Sequence, residues 1–298
     1  MGGVILLPKA YDFDFLIRGS KGRIGAALCK KVLAADSNFE SNSVDYDRGS
    51  LKSIISTFKP ATQVVVIASG NATNRSTKAE CREDTLKLRH FLDYLAARDF
   101  FYVDTKLVFI SSGGSVYGQS LEYKNEDSEL NPATFYAEEK IIHETIILDW
   151  CRNFGVHPVI LRLANVFDIN FTSPKGLVES VISSSAKGSD LSIFGGRKST
   201  KQYGEVRDYA YWILHSLAEI YHKGAANYEQ SITINLFPNN IYSIEQIIDL
   251  VTKKFKVNKD IFIYNSDVKD IMDSVLLSTV HDFAFKLGEW KTLPNLIN

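Results

Sequence analysis

Cysteine is scarce in this chain. The three cysteines, Cys29, Cys81 and Cys151, show no C-x-x-C spacing. That pattern argues against a disulfide framework or a zinc site and suits a reducing compartment. Each cysteine reads as a small buried hydrophobe. An excess of one charge is also missing: 34 Lys and Arg stand against 35 Asp and Glu, a formal net charge of -1. No global basic field is there to hold nucleic acid, so a nucleic-acid partner is not expected. No apolar run approaches the roughly 18 residues of a membrane span. Val4–Leu7 is too short for the core of a signal peptide, and Asp12 and Asp14 follow closely. Repeats and low-complexity tracts are absent. His90, His143, His157, His215, His222 and His281 form no ligand cluster, so no metal is expected. The expectation is a soluble cytoplasmic protein with no membrane partner.

What is present is a large apolar fraction. The 298 residues are 45% hydrophobic, ample for one sizeable α/β core or a core with a smaller lobe. Strand-like and helix-like runs alternate through the first two thirds. Phe13–Arg18, Val64–Ala68, Leu107–Ser111 and Val156–Leu163 read as strands. Val64–Ala68 is a continuous β-branched run, as expected of a strand buried on both faces. Gly25–Ala35, Thr85–Ala97 and Tyr136–Asn153 read as helices, each with an apolar face. The alternation predicts an α/β fold, a doubly wound parallel sheet with helices on both faces. After residue 165 the segments shorten and gain Gly, Ser and Lys. Asp208–Tyr221 reads as a helix and Thr233–Phe237 as a strand. Ser243–Phe255 is amphipathic with Ser243 as its N-cap.

Two motifs carry chemistry. The first is Gly19-Ser20-Lys21-Gly22-Arg23-Ile24-Gly25, between a strand and a helix. Backbone N–H groups at a helix start hold a pyrophosphate, and glycines let the backbone come close. The spacing is G-x-x-G-x-x-G rather than the common G-x-G-x-x-G. Lys21 and Arg23 lie in the loop, and Phe39–Val44 carries polar, uncharged residues after Glu40. A cation there pairs with the 2′-phosphate of NADP, so the residues lean to NADP over NAD. The second motif is Tyr136-Ala137-Glu138-Glu139-Lys140, downstream of Ser111-Ser112-Gly113-Gly114-Ser115-Val116-Tyr117-Gly118. A spacing of i, i+4 puts Tyr136 and Lys140 on one helix face. An ammonium beside a phenol favours the phenolate and eases proton exchange. In such sheets ligands bind beyond the carboxyl ends of the strands. Both motifs begin at such ends, so the expectation is that they face one crevice. Glu138 and Glu139 read as a solvated helix face, and His143 as structural or interfacial.

Taken together these motifs resemble the extended short-chain dehydrogenase/reductase family, the nucleotide-sugar epimerases, dehydratases and 4-keto reductases. The resemblance runs nearly end to end. Val44-Asp45-Tyr46 matches the family segment at the adenine, and Val64–Ala68 with Ser69-Gly70 matches the strand and loop along the cofactor. Leu161-Arg162-Leu163-Ala164-Asn165-Val166-Phe167, Ile193-Phe194-Gly195-Gly196 and Tyr242-Ser243-Ile244 match later segments.

The resemblance implies a Rossmann-type dinucleotide domain over residues 1–168. Residues 169–298 would form a smaller, interleaved C-terminal substrate lobe. Tyr136 would be the acid/base and Lys140 the residue that holds the nicotinamide ribose. A hydroxyl from SSGGS would bond the reacting sugar oxygen. The family's usual Ser or Thr falls at Gly113. Ser115 is preferred in its place, being two residues on and on the same face if the strand stays extended, with Ser112 close behind. The usual helix Asn appears as Asp84, and the usual diphosphate-clamping base as Lys201 beside Gln202. Gly19, Lys21, Gly22, Arg23, Ile24, Gly25, Asp45, Tyr46, Ala68, Ser69 and Gly70 would line the cofactor. Ser112, Gly113, Asn165 and Lys201 would meet a nucleotide-diphosphate sugar. The activity implied is epimerisation or 4-keto reduction, most often at C4. A 4,6-dehydratase ranks last because no acid follows Gly113. A non-catalytic dinucleotide sensor is the reading from another class. Two long helices per subunit imply a homodimer.

Overall fold

The computed structural model describes residues 13–35, 62–97, 105–120, 122–193, 196–222, 231–264 and Leu276. Asp45, Tyr46, Phe194 and Gly195 lie outside these residues, as does the stretch Phe39–Val44. The parallel sheet anticipated from the apolar runs is present. Its strands are β1 (Phe13–Arg18), β2 (Thr62–Ile67), β3 (Lys106–Ser112), β4 (His157–Leu163) and β8 (Ile232–Leu236), in the order β1-β2-β3-β4-β8. Phe15 pairs with Val64 and Val66 with Val108, both in parallel register. Helices α1 (Arg23–Ala35), α2 (Lys78–Ala96), α4 (Phe135–Phe154) and α6 (Val206–His222) join these strands.

The helix starts follow from local chemistry. α2 begins at Lys78, seven residues before the start at Thr85 read from the sequence, because Thr77 and Glu80 form a capping box. Thr77 Oγ1 accepts from the Glu80 amide at 3.3 Å, and Glu80 Oε2 accepts from the Thr77 amide at 2.7 Å. The T-x-x-E signature is in the sequence, but the opening turns are polar and mostly exposed, so apolar spacing does not reveal them. α7 (Ile244–Phe255) starts at Ser243, as the sequence indicates, through the same reciprocal box with Gln246.

The chain divides into two compact units. The first comprises residues 1–111, 139–161 and 210–233; the second comprises 112–138, 162–209 and 234–298. In the first unit, Leu16, Val65, Ile67, Leu88, Phe91, Leu107, Phe109, Ile147 and Ile160 form one buried cluster. Each such fully buried side chain contributes about 1.5–3 kcal/mol. Cys81 and Cys151 are buried as small hydrophobes and Cys29 is half-buried; none of the three forms a disulfide. Burial pushes the Cys151 thiol up to about 12.

The second unit has its own core. Phe167, Val178, Val181, Tyr203, Ile247, Ile248 and Phe262 pack together. Here β5 (Asn165–Phe167), β7 (Thr200–Glu205) and β9 (Ile241–Ser243) form a small sheet, with β5 parallel and β9 antiparallel to β7. A second pair joins β6 (Leu191–Ile193) to β10 (Phe262–Tyr264), and α5 (Leu177–Lys187) belongs to the same unit. Among the described residues no helix is long and apolar enough to cross a membrane.

Candidate active site

The glycine loop lies in the first unit. It follows β1 and closes with a 2.8 Å hydrogen bond from the Gly22 amide to the Gly19 carbonyl. Gly19 has φ +91°, and a Cβ there would stand 2.7 Å from the Ala68 carbonyl oxygen. A Cβ on Gly25 would collide with the Gly19 carbonyl. Glycine at 19 and 25 is therefore demanded by backbone approach. The Ala68 amide donates to the Arg18 carbonyl at 3.0 Å, which ties the loop after β2 to the end of β1.

Two hydroxyls stand in these loops. Ser20 Oγ and Ser69 Oγ are buried and have no hydrogen-bond partner among the described residues. Buried hydroxyls ordinarily have a partner, because leaving one unsatisfied costs about 1–3 kcal/mol. Two orphans beside a glycine-walled helix start fit a phosphate-bearing group that would supply acceptors. The loop after β2 is held by Asp84 on α2: its Oδ2 accepts from the Asn71 amide at 2.7 Å and the Ala72 amide at 2.8 Å. The sequence places Asp84 where the family usually has Asn. In this structure its acceptor oxygen shapes the Ser69–Ala72 turn. Lys21 is exposed and Arg23 half-buried.

α4 carries both Tyr136 and Lys140, so their i, i+4 spacing is helical and they share a face. Both are half-buried. Lys140 Nζ donates to the Ile110 carbonyl on β3 at 3.4 Å and lies 5.1 Å from the Phe109 ring centroid. Ser111 Oγ donates to Glu144 Oε1 at 2.5 Å, pinning the end of β3 to α4.

Glu139 is a correction. The sequence marks it, with Glu138, as a solvated face; Glu138 is exposed, but Glu139 is only 8% exposed. It lies 3.9 Å from His143 Nε2, which also meets Thr85 Oγ1 at 2.7 Å. Burial, and the positive charges of Lys140 and Arg18, push the His143 imidazole down to about 3. The ring is neutral at ordinary pH, so the Glu139 approach is no ion pair. Arg18 is buried as well; it donates to the Lys87 carbonyl at 3.0 Å and lies over Phe91.

The second unit holds the serine segment. β3 ends at Ser112 and residues 113–116 make one helical turn, α3. The premise that the strand stays extended to Ser115 therefore fails. The turn instead brings Ser115 Oγ within 3.2 Å of Ser112 Oγ, which donates to it. Gly113 has a steric cause: a Cβ there would lie 3.0 Å from the Arg162 carbonyl oxygen and 2.5 Å from Leu276 Cδ1. A seryl or threonyl side chain would have to displace the end of the Leu276 side chain and crowd the Arg162 carbonyl. Asn165 Nδ2 donates to the Gln202 carbonyl at 3.1 Å. Lys201 is half-buried on β7, opposite Tyr242.

Two motif residues prove structural. Tyr117 of the V-Y-G triplet is buried, its hydroxyl donating to Asn235 Oδ1 at 2.8 Å and accepting from Arg162 Nη1 at 2.7 Å. Arg162, the arginine of the L-R-L-A-N segment, thus finds its partner in the serine motif. Burial holds the Tyr117 phenol above its usual range, against the opposing pull of Arg162. Sequence reasoning missed Leu276 altogether, since nothing local in that segment marks it.

Comparison with known proteins decides the family. Residues 15–235 match the family model "NAD dependent epimerase/dehydratase family". The chain belongs to that family. A protein of Methanocaldococcus jannaschii provisionally named a UDP-glucose 4-epimerase is 29% identical over 150 residues, 49% of this chain and 46% of that protein. The dTDP-4-dehydro-6-deoxyglucose reductase of Escherichia coli is 24% identical over 156 residues, 52% of this chain and 46% of the relative. The matches thus span about half the length of these curated relatives. Among solved structures, the UDP-glucuronic acid 4-epimerase of Bacillus cereus in complex with NAD superposes with a TM-score of 0.75 over 95% of both chains, at 17% identity. At that identity the likeness shows the fold, which is the Rossmann-type α/β fold read from the sequence.

The neutral His143 makes a test of the buried polar cluster. Its folded pKa is depressed to about 3 from 6.5. As pH falls below the higher value, the unfolded chain takes up a proton that the folded chain refuses. Stability is therefore lost from about pH 6.5 down towards pH 3, at up to ~1.4 kcal/mol per pH unit. His143→Gln retains a partner for Thr85 and removes this titration. Urea unfolding across that range should show the variant losing about one proton from the pH slope. An unchanged slope would mean that His143 is not the buried neutral base described.

Proposed function

We propose that this family member is a nicotinamide-dinucleotide enzyme that epimerises a nucleotide-diphosphate sugar, with Tyr136 as acid/base. The observation that carries the reading is the helical Tyr136–Lys140 pair in a chain whose glycine loop and neighbouring loop after β2 each bear an unsatisfied buried hydroxyl. Gly19, Ser20, Gly22, Arg23, Ile24 and Gly25 would hold the pyrophosphate, with Ala68, Ser69 and Gly70 along the cofactor and Asp45 and Tyr46 at its adenine. Lys140 would hold the nicotinamide ribose. When bound, the nicotinamide supplies hydride exchange with a sugar carbon, C4 in this reading. Tyr136 takes the proton from the hydroxyl on that carbon and returns it, while Ser112 and Ser115 bond the same oxygen. Lys201 meets the diphosphate as a point charge without a bidentate fork. Asn165 and Gly113 line the sugar side.

A second reading, 4-keto reduction with NADPH, has support of its own. Lys21 and Arg23 present cations at the loop, and one curated relative is named as a reductase. The NAD complex of the Bacillus cereus enzyme and the Methanocaldococcus relative's name support the epimerase reading. The sensor reading has no support in the retained Tyr136–Lys140 pair.

We also propose a homodimer through α2 and α4, whose Leu86, Ile142 and Phe154 are exposed apolar residues. Sedimentation at micromolar concentration should show a two-chain species; a monomer throughout contradicts it.

Tyr136→Phe should lower kcat on UDP-glucose by about 10²–10⁴-fold, the usual worth of a positioned proton donor. Dinucleotide affinity should stay within a few-fold of wild type. Retained turnover in the variant would remove Tyr136 from the mechanism.

A further inference from the structure

Leu276 lies 163 positions from Gly113 and 74 from Gln202, yet the three meet in the second unit. Leu276 is 1% exposed. Its amide donates to Gln202 Oε1 at 2.9 Å, and its carbonyl accepts from Gln202 Nε2 at 3.5 Å. Gln202 Nε2 also donates to the Pro238 carbonyl at 3.2 Å. The glutamine amide thus pairs with the Leu276 peptide as a neighbouring strand would, from both sides of one residue. Leu276 also bridges Lys124 in parallel fashion.

Its side chain points at the serine turn, where Cδ1 occupies the volume a Cβ on Gly113 would need. The main chain of Gln202 is linked to the next residue of the turn, Gly114, through Asn165. Its carbonyl accepts from Asn165 Nδ2, and that amide would lie 3.3 Å from a Cβ on Gly114. Gln202 itself is 5% exposed, so it meets no solvent-borne phosphate and its polar atoms serve the protein.

From this arrangement we infer that Gln202 is a positioning residue that seats Leu276 against Gly113 and so sets the wall beside the Ser112–Ser115 pair. The inference rests on the proposed function, in which that pair meets the sugar. It assigns a purpose to a glutamine that stands beside the diphosphate candidate Lys201 without sharing its role. It also explains Gly113 as one half of a packed pair: with glycine at 113 the Leu276 side chain keeps its place against the turn, and the hydroxyl work falls to Ser112 and Ser115. The amide is suited to this because it both donates and accepts. A carboxylate at 202 would keep the bond from the Leu276 amide but would face the Leu276 and Pro238 carbonyls with no proton to offer.

The test has two independent arms. The first uses stability and needs no substrate. Gly113→Ala, Leu276→Ala and the double variant are unfolded in urea. Gly113→Ala should be destabilising alone and distinctly less so in the Leu276→Ala background, because the side chain it strikes has gone; the Arg162 carbonyl leaves a residue of the effect. Additive effects would overturn the packing claim.

The second arm uses turnover of UDP-glucose and binding of NAD. Gln202→Ala and Leu276→Ala should each raise KM by about ten-fold or more while kcat and NAD affinity move far less. The double variant should be no worse than the worse single, since both act through one contact. Gln202→Glu should fall between wild type and Gln202→Ala. Multiplying effects, or an unchanged KM in well-folded singles, would overturn the positioning role. Wild-type protein that binds NAD but turns over no nucleotide sugar would instead overturn the functional reading, leaving the stability arm to judge the packing.

Discussion

The close approach of backbone at Gly19 governs the glycine-loop end of the first unit. The Ala68 carbonyl sits where a Cβ on residue 19 would go, and the Gly19 carbonyl sits where a Cβ on residue 25 would go. A larger residue at 19 forces the first loop away from the second, and one at 25 forces the first loop open on itself. With glycine the two loops close, the amides of the α1 start gather, and Ser20 and Ser69 are carried inward with their hydroxyls unsatisfied. Asp84 completes the arrangement by holding the second loop through two amides. The irregular G-x-x-G-x-x-G spacing is thus accounted for at 19 and 25 by contacts, rather than by likeness to a fingerprint.

The serine turn is shaped by a related economy of space. The β3 strand stops at Ser112 because Gly113 turns into a helical coil under the Arg162 carbonyl and Leu276. That turn gathers Ser112 and Ser115 into one hydroxyl pair. Lys140 is drawn to β3 by the Ile110 carbonyl, and α4 is bound to the same strand by the Ser111–Glu144 bond. In the first unit Arg18, Glu139 and Glu144 are buried and Lys140 is half-buried, and His143 stays neutral beside Lys140 and Arg18. Neutrality is the cheaper state for an imidazole that shares a low-dielectric interior with two cations.

Much of this was legible in the sequence. The β-branched runs gave the sheet strands, because a strand buried on both faces cannot hide its composition. The Tyr136–Lys140 spacing gave the helix and its face. Other features were not legible for physical reasons. The start of α2 is polar, so only the Thr77–Glu80 box marks it. Glu139 looks solvated in sequence because adjacent acids suggest an exposed face, whereas a helix puts Glu138 and Glu139 on different sides. Ser115 was judged by strand periodicity, and the strand had ended. Tyr117 and Arg162 stand in two separate motifs, yet they bond each other in the interior. Leu276 was invisible because its meaning lies wholly in contacts with residues far away along the chain.

The central claim is that the first unit holds a nicotinamide dinucleotide against the glycine loop. The most direct measurement is to purify the protein without added cofactor, denature a portion, and identify any released nucleotide by mass. The remainder is titrated with NAD and NADP by calorimetry. The account predicts one dinucleotide per chain, either carried through purification or taken up in the titration. A cooperatively folded protein that neither carries nor binds NAD or NADP would contradict it.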